Sequence, residues 1–150
     1  MERLDKQNIE GLLPHRDRAL LVERVEIEDG KPIGYYTVTE DICEGHFPGL
    51  PVMRNGDRDD MIEQMLGLAA SISEGSTMPP GYVGVIVGKG ETQYKNPARP
   101  GDEVRIQVEL TRVTRKIIEG DGVAYVGDKE IANIKGIKAL LVSKDKLETS

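Results

Sequence analysis

Apolar residues along the chain follow two periods, and the switches between them divide it into elements. Residues 9–13 allow a short helical turn, stopped by Pro14, whose ring removes a donor and clashes with the preceding turn. The run Ala19-Leu20-Leu21-Val22-Glu23-Arg24-Val25-Glu26-Ile27 starts apolar and then alternates, as a strand leaving a core does. Asp29-Gly30 is a hairpin signal, and residues 34–39 are expected to return as the second strand. Between 41 and 56, Gly45, Pro48, Gly49, Pro51 and Gly56 argue for loop. The period then becomes helical. Met61, Met65, Leu68 and Ile72 form one stripe, widened by Ile62, Leu66 and Ala69, in a helix expected over 57–73. Asp57 reads as its N-cap, Gly75 as its stop, and Asp60, Gln64, Gly67 and Ser71 as a narrower polar face. After Pro79-Pro80-Gly81, strands are expected at 82–87, 91–96, 103–113, 122–126 and 130–142. Their turns are Pro100-Gly101-Asp102, Gly120-Asp121 and Gly127-Asp128. One buried helix, set after two strands and before a long antiparallel run, implies an α+β fold with the sheet wrapped around the helix.

Composition narrows the function. A length of 150 residues suits one domain spanning 1–150, and 38 % apolar with 31 % charged residues is ordinary for a globular protein. No apolar run approaches the roughly 18 residues of a membrane span, and the N-terminus lacks the apolar core of a secretory signal. A cytoplasmic location is expected. The single Cys43 excludes an internal disulfide, and with only two histidines a zinc site is not expected. A formal charge of −6 disfavours nucleic acid, whose binding depends on phosphate neutralisation. It leaves room for a local basic patch, with Arg16, Arg18, Lys95 and Arg99 as candidates, to dock an acidic carrier protein.

The chemistry concentrates in Glu44-Gly45-His46-Phe47-Pro48-Gly49-Leu50-Pro51-Val52-Met53. A histidine between glycines and prolines sits on a backbone with few alternatives, which suits a general base; spacing alone leaves a merely decorated turn equally open.

Gly45-His46-Phe47-Pro48-Gly49-x-Pro51-Val52-Met53 resembles the signature loop of the 3-hydroxyacyl-[acyl-carrier-protein] dehydratases of FabZ and FabA type. Leu12-Leu13-Pro14-His15-Arg16, followed by Leu20-Leu21-Val22-Glu23-Arg24-Val25, resembles the start of the FabZ branch. Gly90-x-x-x-Tyr94 and Pro97-x-x-Pro100-Gly101-Asp102 resemble its later strand-turn-strand, so the likeness covers nearly the whole chain. The resemblance implies a hot-dog fold and a homodimer with two active sites at the interface, often assembled as a trimer of dimers. It implies syn-elimination of water from a (3R)-3-hydroxyacyl thioester on acyl carrier protein, in fatty acid biosynthesis, with no cofactor. Such a reaction needs a base for the C2 proton, an acid for the departing hydroxyl and a donor to the thioester oxygen.

His46 matches the family's base. Its acid comes from the central helix of the partner subunit, and ungapped counting places that position on Asp60; a three-residue insertion would place it on Glu63 instead. Phe47, Gly49, Asn55 and Gln64 are implied as substrate-binding residues, Asn55 standing where the family presents a glycine amide to the thioester oxygen. Asparagine tolerates positive φ better than other non-glycine residues, so it is expected to present the amide that way. Isomerase activity of the FabA type is not implied.

The chain also departs from the family. Arg54-Asn55 replace Pro-Gly, and Gly56-Asp57-Arg58-Asp59 replace four apolar residues. Charges in a buried helix start are costly unless paired or solvated. They imply an exposed helix end, a polar or shortened acyl channel, or an acyl-binding homologue impaired in catalysis. A hot-dog acyl thioesterase is the other alternative. Cys43 is read as a packing residue, His15 as structural, and the glycines at 84–90 as part of a strand.

Overall fold

In the computed structural model, which describes residues 3–73 and 82–145, the chain opens with a short strand, β1 (Arg3–Leu4), and a helix, α1 (Lys6–Leu12). The helix begins earlier than its apolar residues suggest because Asp5 and Asn8 cap it reciprocally. The Asp5 carboxylate accepts from the Asn8 amide at 3.0 Å, and the Asn8 side chain accepts from the Asp5 amide at 3.1 Å.

The run expected to be a strand from Ala19 becomes one only at Arg24. A 3-10 turn covers Asp17–Ala19, and Leu20, Leu21 and Val22 are buried in irregular backbone. Gln64 is the reason. Its Oε1 accepts from the Leu21 amide at 2.8 Å, and its Nε2 donates to the Ala19 carbonyl at 2.6 Å. One side chain thereby supplies what a neighbouring strand would have offered. The pairing strands then follow, β2 (Arg24–Glu28) and β3 (Lys31–Thr37), joined through Asp29 and Gly30. Both turn residues have positive φ, 52° and 78°, as the hairpin turn matched to strand twist requires.

A 3-10 turn at Asp41–Cys43 interrupts the loop that leads to the long helix, α2 (Asn55–Ser73). This helix starts before Asp57. Asp57 therefore lies in its first turn and pairs with Arg54 at 3.9 Å, instead of capping it. Met61, Ile62, Met65, Leu66, Leu68 and Ala69 are buried as the stripe predicts, with Ile72 partly buried against them. Gln64 is buried too, so the polar face is only partly a solvent face, with Asp60 as its exposed member. Gly75 and Pro79-Pro80-Gly81 lie outside the described residues.

The remaining strands are β4 (Tyr82–Gly88), β5 (Thr92–Tyr94), β6 (Glu103–Val113), β7 (Ile117–Val126) and β8 (Lys129–Ser143). The antiparallel sheet runs β1-β2-β3-β6-β7-β8-β4, with β5 also on β8, and α2 lies across β6, β7 and β8. The turn expected at Gly120-Asp121 is instead a bulge inside β7, where the pairing to β8 shifts between Gly120 and Gly122. These glycines are there for clearance. A Cβ on Gly122 would collide with Ile62, and one on Gly120 would stand 2.6 Å from Leu66 Cδ1. The β6–β7 turn is at Thr114, whose amide donates to the Ile117 carbonyl at 2.8 Å and whose hydroxyl accepts from the Ile117 amide at 3.0 Å.

The first residues of α2, Asn55 and Gly56, are exposed as expected, but the charged residues after them, Asp57, Arg58 and Asp59, are buried or half-buried and paired. Arg58 is only 5 % exposed. Its Nη1 donates to the carbonyls of Ile131 at 2.8 Å, Asn96 at 3.0 Å and Lys95 at 3.2 Å, and its Nη2 to that of Met53 at 3.4 Å. The guanidinium therefore ties the helix start to β8, to the segment after β5 and to the loop before α2. Arg58→Met fills a similar volume but takes a donor from the Lys95, Asn96 and Met53 carbonyls, at about 1–3 kcal/mol for each left unpaired, while the Ile131 carbonyl keeps the Lys95 amide at 3.1 Å. We expect it to lower unfolding free energy by about 3 kcal/mol, read as a reduced urea midpoint at unchanged slope.

Candidate active site

The loop before α2 is held by its own backbone. Gly45 and Gly49 have φ of 79° and 77°, values that a side chain disfavours. The His46 amide donates to the Cys43 carbonyl at 2.9 Å, the Val52 amide to the His46 carbonyl at 2.7 Å, and Phe47 and Leu50 exchange two bonds of 2.9 Å. Outside the loop, the Met53 amide donates to the Ala98 carbonyl at 2.8 Å. The Pro97-x-x-Pro100-Gly101-Asp102 segment thus supports this loop from beneath.

His46 is half-buried on this frame, and its Nδ1 lies 3.1 Å from the Val52 carbonyl oxygen. A carbonyl only accepts, so in the neutral ring Nδ1 carries the hydrogen and Nε2 keeps its lone pair. That is the tautomer a general base needs. Phe47 stacks on the imidazole with ring centroids 4.2 Å apart and is itself 55 % exposed, as is its neighbour Leu50 at 58 %.

Asp60, Glu63 and Gln64 come together on α2 in the wall of a cavity of about 190 Å³. Apolar walls come from Leu13, Leu66, Ile86 and Ile118, and His15 joins the polar side. Asp60 is exposed in the single chain; the partial desolvation it meets at the cavity wall pushes its carboxyl above its ordinary value, reinforced by Asp57 and opposed by Lys89. Burial does the same to Glu63, against the hydrogen bond and charge of Lys89, whose Nζ lies 2.5 Å from Glu63 Oε2. The two candidates differ in engagement. Glu63 is held in an ion pair, whereas Asp60 makes no ion pair or hydrogen bond among the described residues. Burial lowers the His15 imidazole below its ordinary value, with the charge of Asp60 working the other way. His15 thus lines the same wall, where sequence reasoning saw only a structural residue in a turn.

His46, Phe47, Gly49 and Asn55 do not line this cavity. One chain thus presents the histidine loop and the carboxylate wall as separate features. Asn55 is the first residue of α2 and has no positive φ, contrary to expectation, because it already belongs to the helix. Its amide is among the donors that an α-helix leaves unpaired at its start. Cys43 is fully buried and burial pushes its thiol up, which fits a packing residue. Gly84 and Gly88 lie in β4, as a strand reading requires. Lys89, which pairs with Asp59 and Glu63, was not anticipated; nothing local marks a lysine beyond a strand as the partner of α2. No group of three or more metal-ligating side chains occurs among the described residues.

The sequence model of the FabA-like domain matches residues 13–135. The chain belongs to the FabA-like family. Among relatives of this FabA-like protein, the 3-hydroxyacyl-[acyl-carrier-protein] dehydratase FabZ of Bacillus pumilus is 37 % identical over 133 residues, 86 % of this chain and 90 % of the relative. The Bacillus subtilis enzyme of the same name is 34 % identical over 136 residues, covering 88 % and 94 %. In structure, one chain of the dehydratase heterocomplex ApeI:P of Xenorhabdus doucetiae matches with a TM-score of 0.72 at 17 % identity, over 94 % of this chain and 95 % of that one. A fluoroacetyl-CoA-specific thioesterase matches at 0.61 and 17 % identity, over 78 % and 93 %. These structural likenesses establish the hot-dog fold: a sheet wrapped around one long helix.

Proposed function

We propose that this protein is a 3-hydroxyacyl-[acyl-carrier-protein] dehydratase of fatty acid biosynthesis, removing water from (3R)-3-hydroxyacyl thioesters to give trans-2-enoyl thioesters. The observation that carries this is the 37 % identity to a FabZ dehydratase over 86 % of the chain, a span that includes both the His46 loop and α2.

In the mechanism we propose, His46 Nε2 removes the C2 proton while the thioester oxygen accepts a hydrogen bond from the Asn55 amide at the start of α2. The C3–O bond breaks as Asp60 of the partner subunit gives its proton to the departing oxygen. Water leaves, the C2–C3 double bond forms, and His46 ends protonated with Asp60 ionised; proton exchange with solvent resets both. Asp60 suits the acid's role because desolvation favours its protonated form. Gln64 fixes the acid's helix through Ala19 and Leu21. Phe47 and Gly49 shape the entrance beside the imidazole. The separation of the two half-sites on one chain supports a homodimer in which each cavity receives the partner's His46 loop.

Incubation with crotonyl or 3-hydroxybutyryl thioesters tests the reading. Interconversion of enoyl and hydroxyacyl forms, without release of free thiol, is the expected result. Thiol release with no interconversion would mean a thioesterase and overturn it.

A further inference from the structure

Seven residues of α2 carry four carboxylates: Asp57, Asp59, Asp60 and Glu63. A helix that gathers so much like charge beside an acyl site needs a means of keeping its carboxyl groups from engaging one another. Lys89 supplies one. It follows β4, and its backbone is fixed by Gly90, whose amide donates to the Lys135 carbonyl at 2.7 Å. A Cβ at Gly90 would stand 2.9 Å from that oxygen, so a side chain there would push the connection away from β8. From there Lys89 Nζ reaches Asp59 Oδ2 at 3.2 Å and Glu63 Oε2 at 2.5 Å. Asp59 Oδ1 also accepts from the Tyr94 hydroxyl at 2.6 Å. The two carboxylate side chains are 17 % and 13 % exposed, so water screens this network little. Asp57 pairs with Arg54. Of the four, Asp60 alone has no ion pair or hydrogen bond among the described residues.

We propose that Lys89 is a positioning residue of the dehydration site: by clamping Asp59 and Glu63 it removes the rival carboxylates and leaves Asp60 free to deliver the proton. This rests on the reading of Asp60 as the acid. The titrations agree with the geometry. Desolvation pulls Lys89 down, but the hydrogen bond and charge of Glu63, and then of Asp59, outweigh it and raise the ammonium above its ordinary value. Burial pushes the Tyr94 hydroxyl up to about 12, helped by its bond to Asp59, so it remains a donor. The charged or titratable groups acting on Asp60 are Asp57, Asp59 and Glu63 from its own helix, Lys89 after β4, and His15 after α1, with Arg16 beside His15.

The sign of the test follows. Without the lysine, Asp60 loses an attracting cation and faces two uncompensated anions, both of which hold its proton more tightly. In carboxyl ¹³C NMR titration of the intact protein, with the Asp60 resonance assigned by its absence in Asp60→Asn, Lys89→Met raises the Asp60 midpoint by about one pH unit. The higher midpoint keeps Asp60 protonated, but freed Glu63 now accepts a hydrogen bond from that proton and holds it away from the departing hydroxyl, so kcat falls about tenfold with KM nearly unchanged. Adding Glu63→Gln to Lys89→Met recovers most of that loss, and Lys89→Arg retains both properties. A purely structural lysine would show no such recovery. An unmoved Asp60 midpoint in folded Lys89→Met, or a double variant no better than the single, overturns the proposal. Should Lys89→Met not fold, Lys89→Gln, which keeps a polar side chain but removes the charge and the reach of the ammonium, carries the same readouts. Full turnover by Asp60→Asn would instead sink the assignment of the acid, whatever the titration shows.

Discussion

His46→Ala lowers hydration of a crotonyl thioester by about 10²–10⁴-fold in a protein that still folds, the loss expected when a general base is removed. Folding is retained because the loop does not depend on the imidazole. Its backbone bonds run from His46 to Cys43, from Val52 to His46 and from Met53 to Ala98, and all survive truncation at Cβ. What disappears is Nε2, presented as a lone pair because Nδ1 is turned to the Val52 carbonyl at 3.1 Å. His46→Gln is the sharper control. Its amide can still donate to the Val52 carbonyl but offers no basic nitrogen, so its activity should fall as far as that of the alanine variant. Steady-state kinetics with circular dichroism on the same samples makes the measurement. Undiminished turnover in folded His46→Ala removes the histidine from the mechanism.

The loop, the helix stripe and most strands were legible because each is a local pattern. Gly-Pro spacing describes the His46 loop, a 3.6-residue period describes α2, and turn residues bound the strands. The misses share one cause: contacts between segments distant in sequence. Nothing in Ala19-Leu20-Leu21 indicates that Gln64 will take its backbone bonds in place of a strand. Gly120 and Gly122 have turn composition, yet they serve as clearance for Ile62 and Leu66. The charges at 57–59 contradicted a buried helix start until Arg58 was seen to face carbonyls from three segments and Asp59 to face Lys89 and Tyr94. In the same way, ungapped counting placed the family's acid on Asp60 with Glu63 as its rival, and nothing local showed that Glu63 would be paired by a lysine from another element.

Asp60→Asn is expected to cost about 10²–10⁴-fold, comparable to loss of the base, while Glu63→Gln costs less than about tenfold. Asparagine matches the size of aspartate and lacks the transferable proton, so the loss reports chemistry more than packing. The stronger consequence concerns where the two groups come from. If the acid and the base of one site belong to different protomers of a two-fold dimer, inactive His46→Ala and inactive Asp60→Asn chains can complement each other. A mixed dimer has one site with both residues intact and one with neither. Random mixing makes half the dimers mixed, so activity should return to about a quarter of the wild-type level. Mixtures prepared by co-expression, with the two chains differently tagged so that mixed dimers are isolated, should reach about half per dimer. Should isolated mixed dimers stay inactive, base and acid must belong to one chain, and the two-protomer site falls even if both residues prove essential.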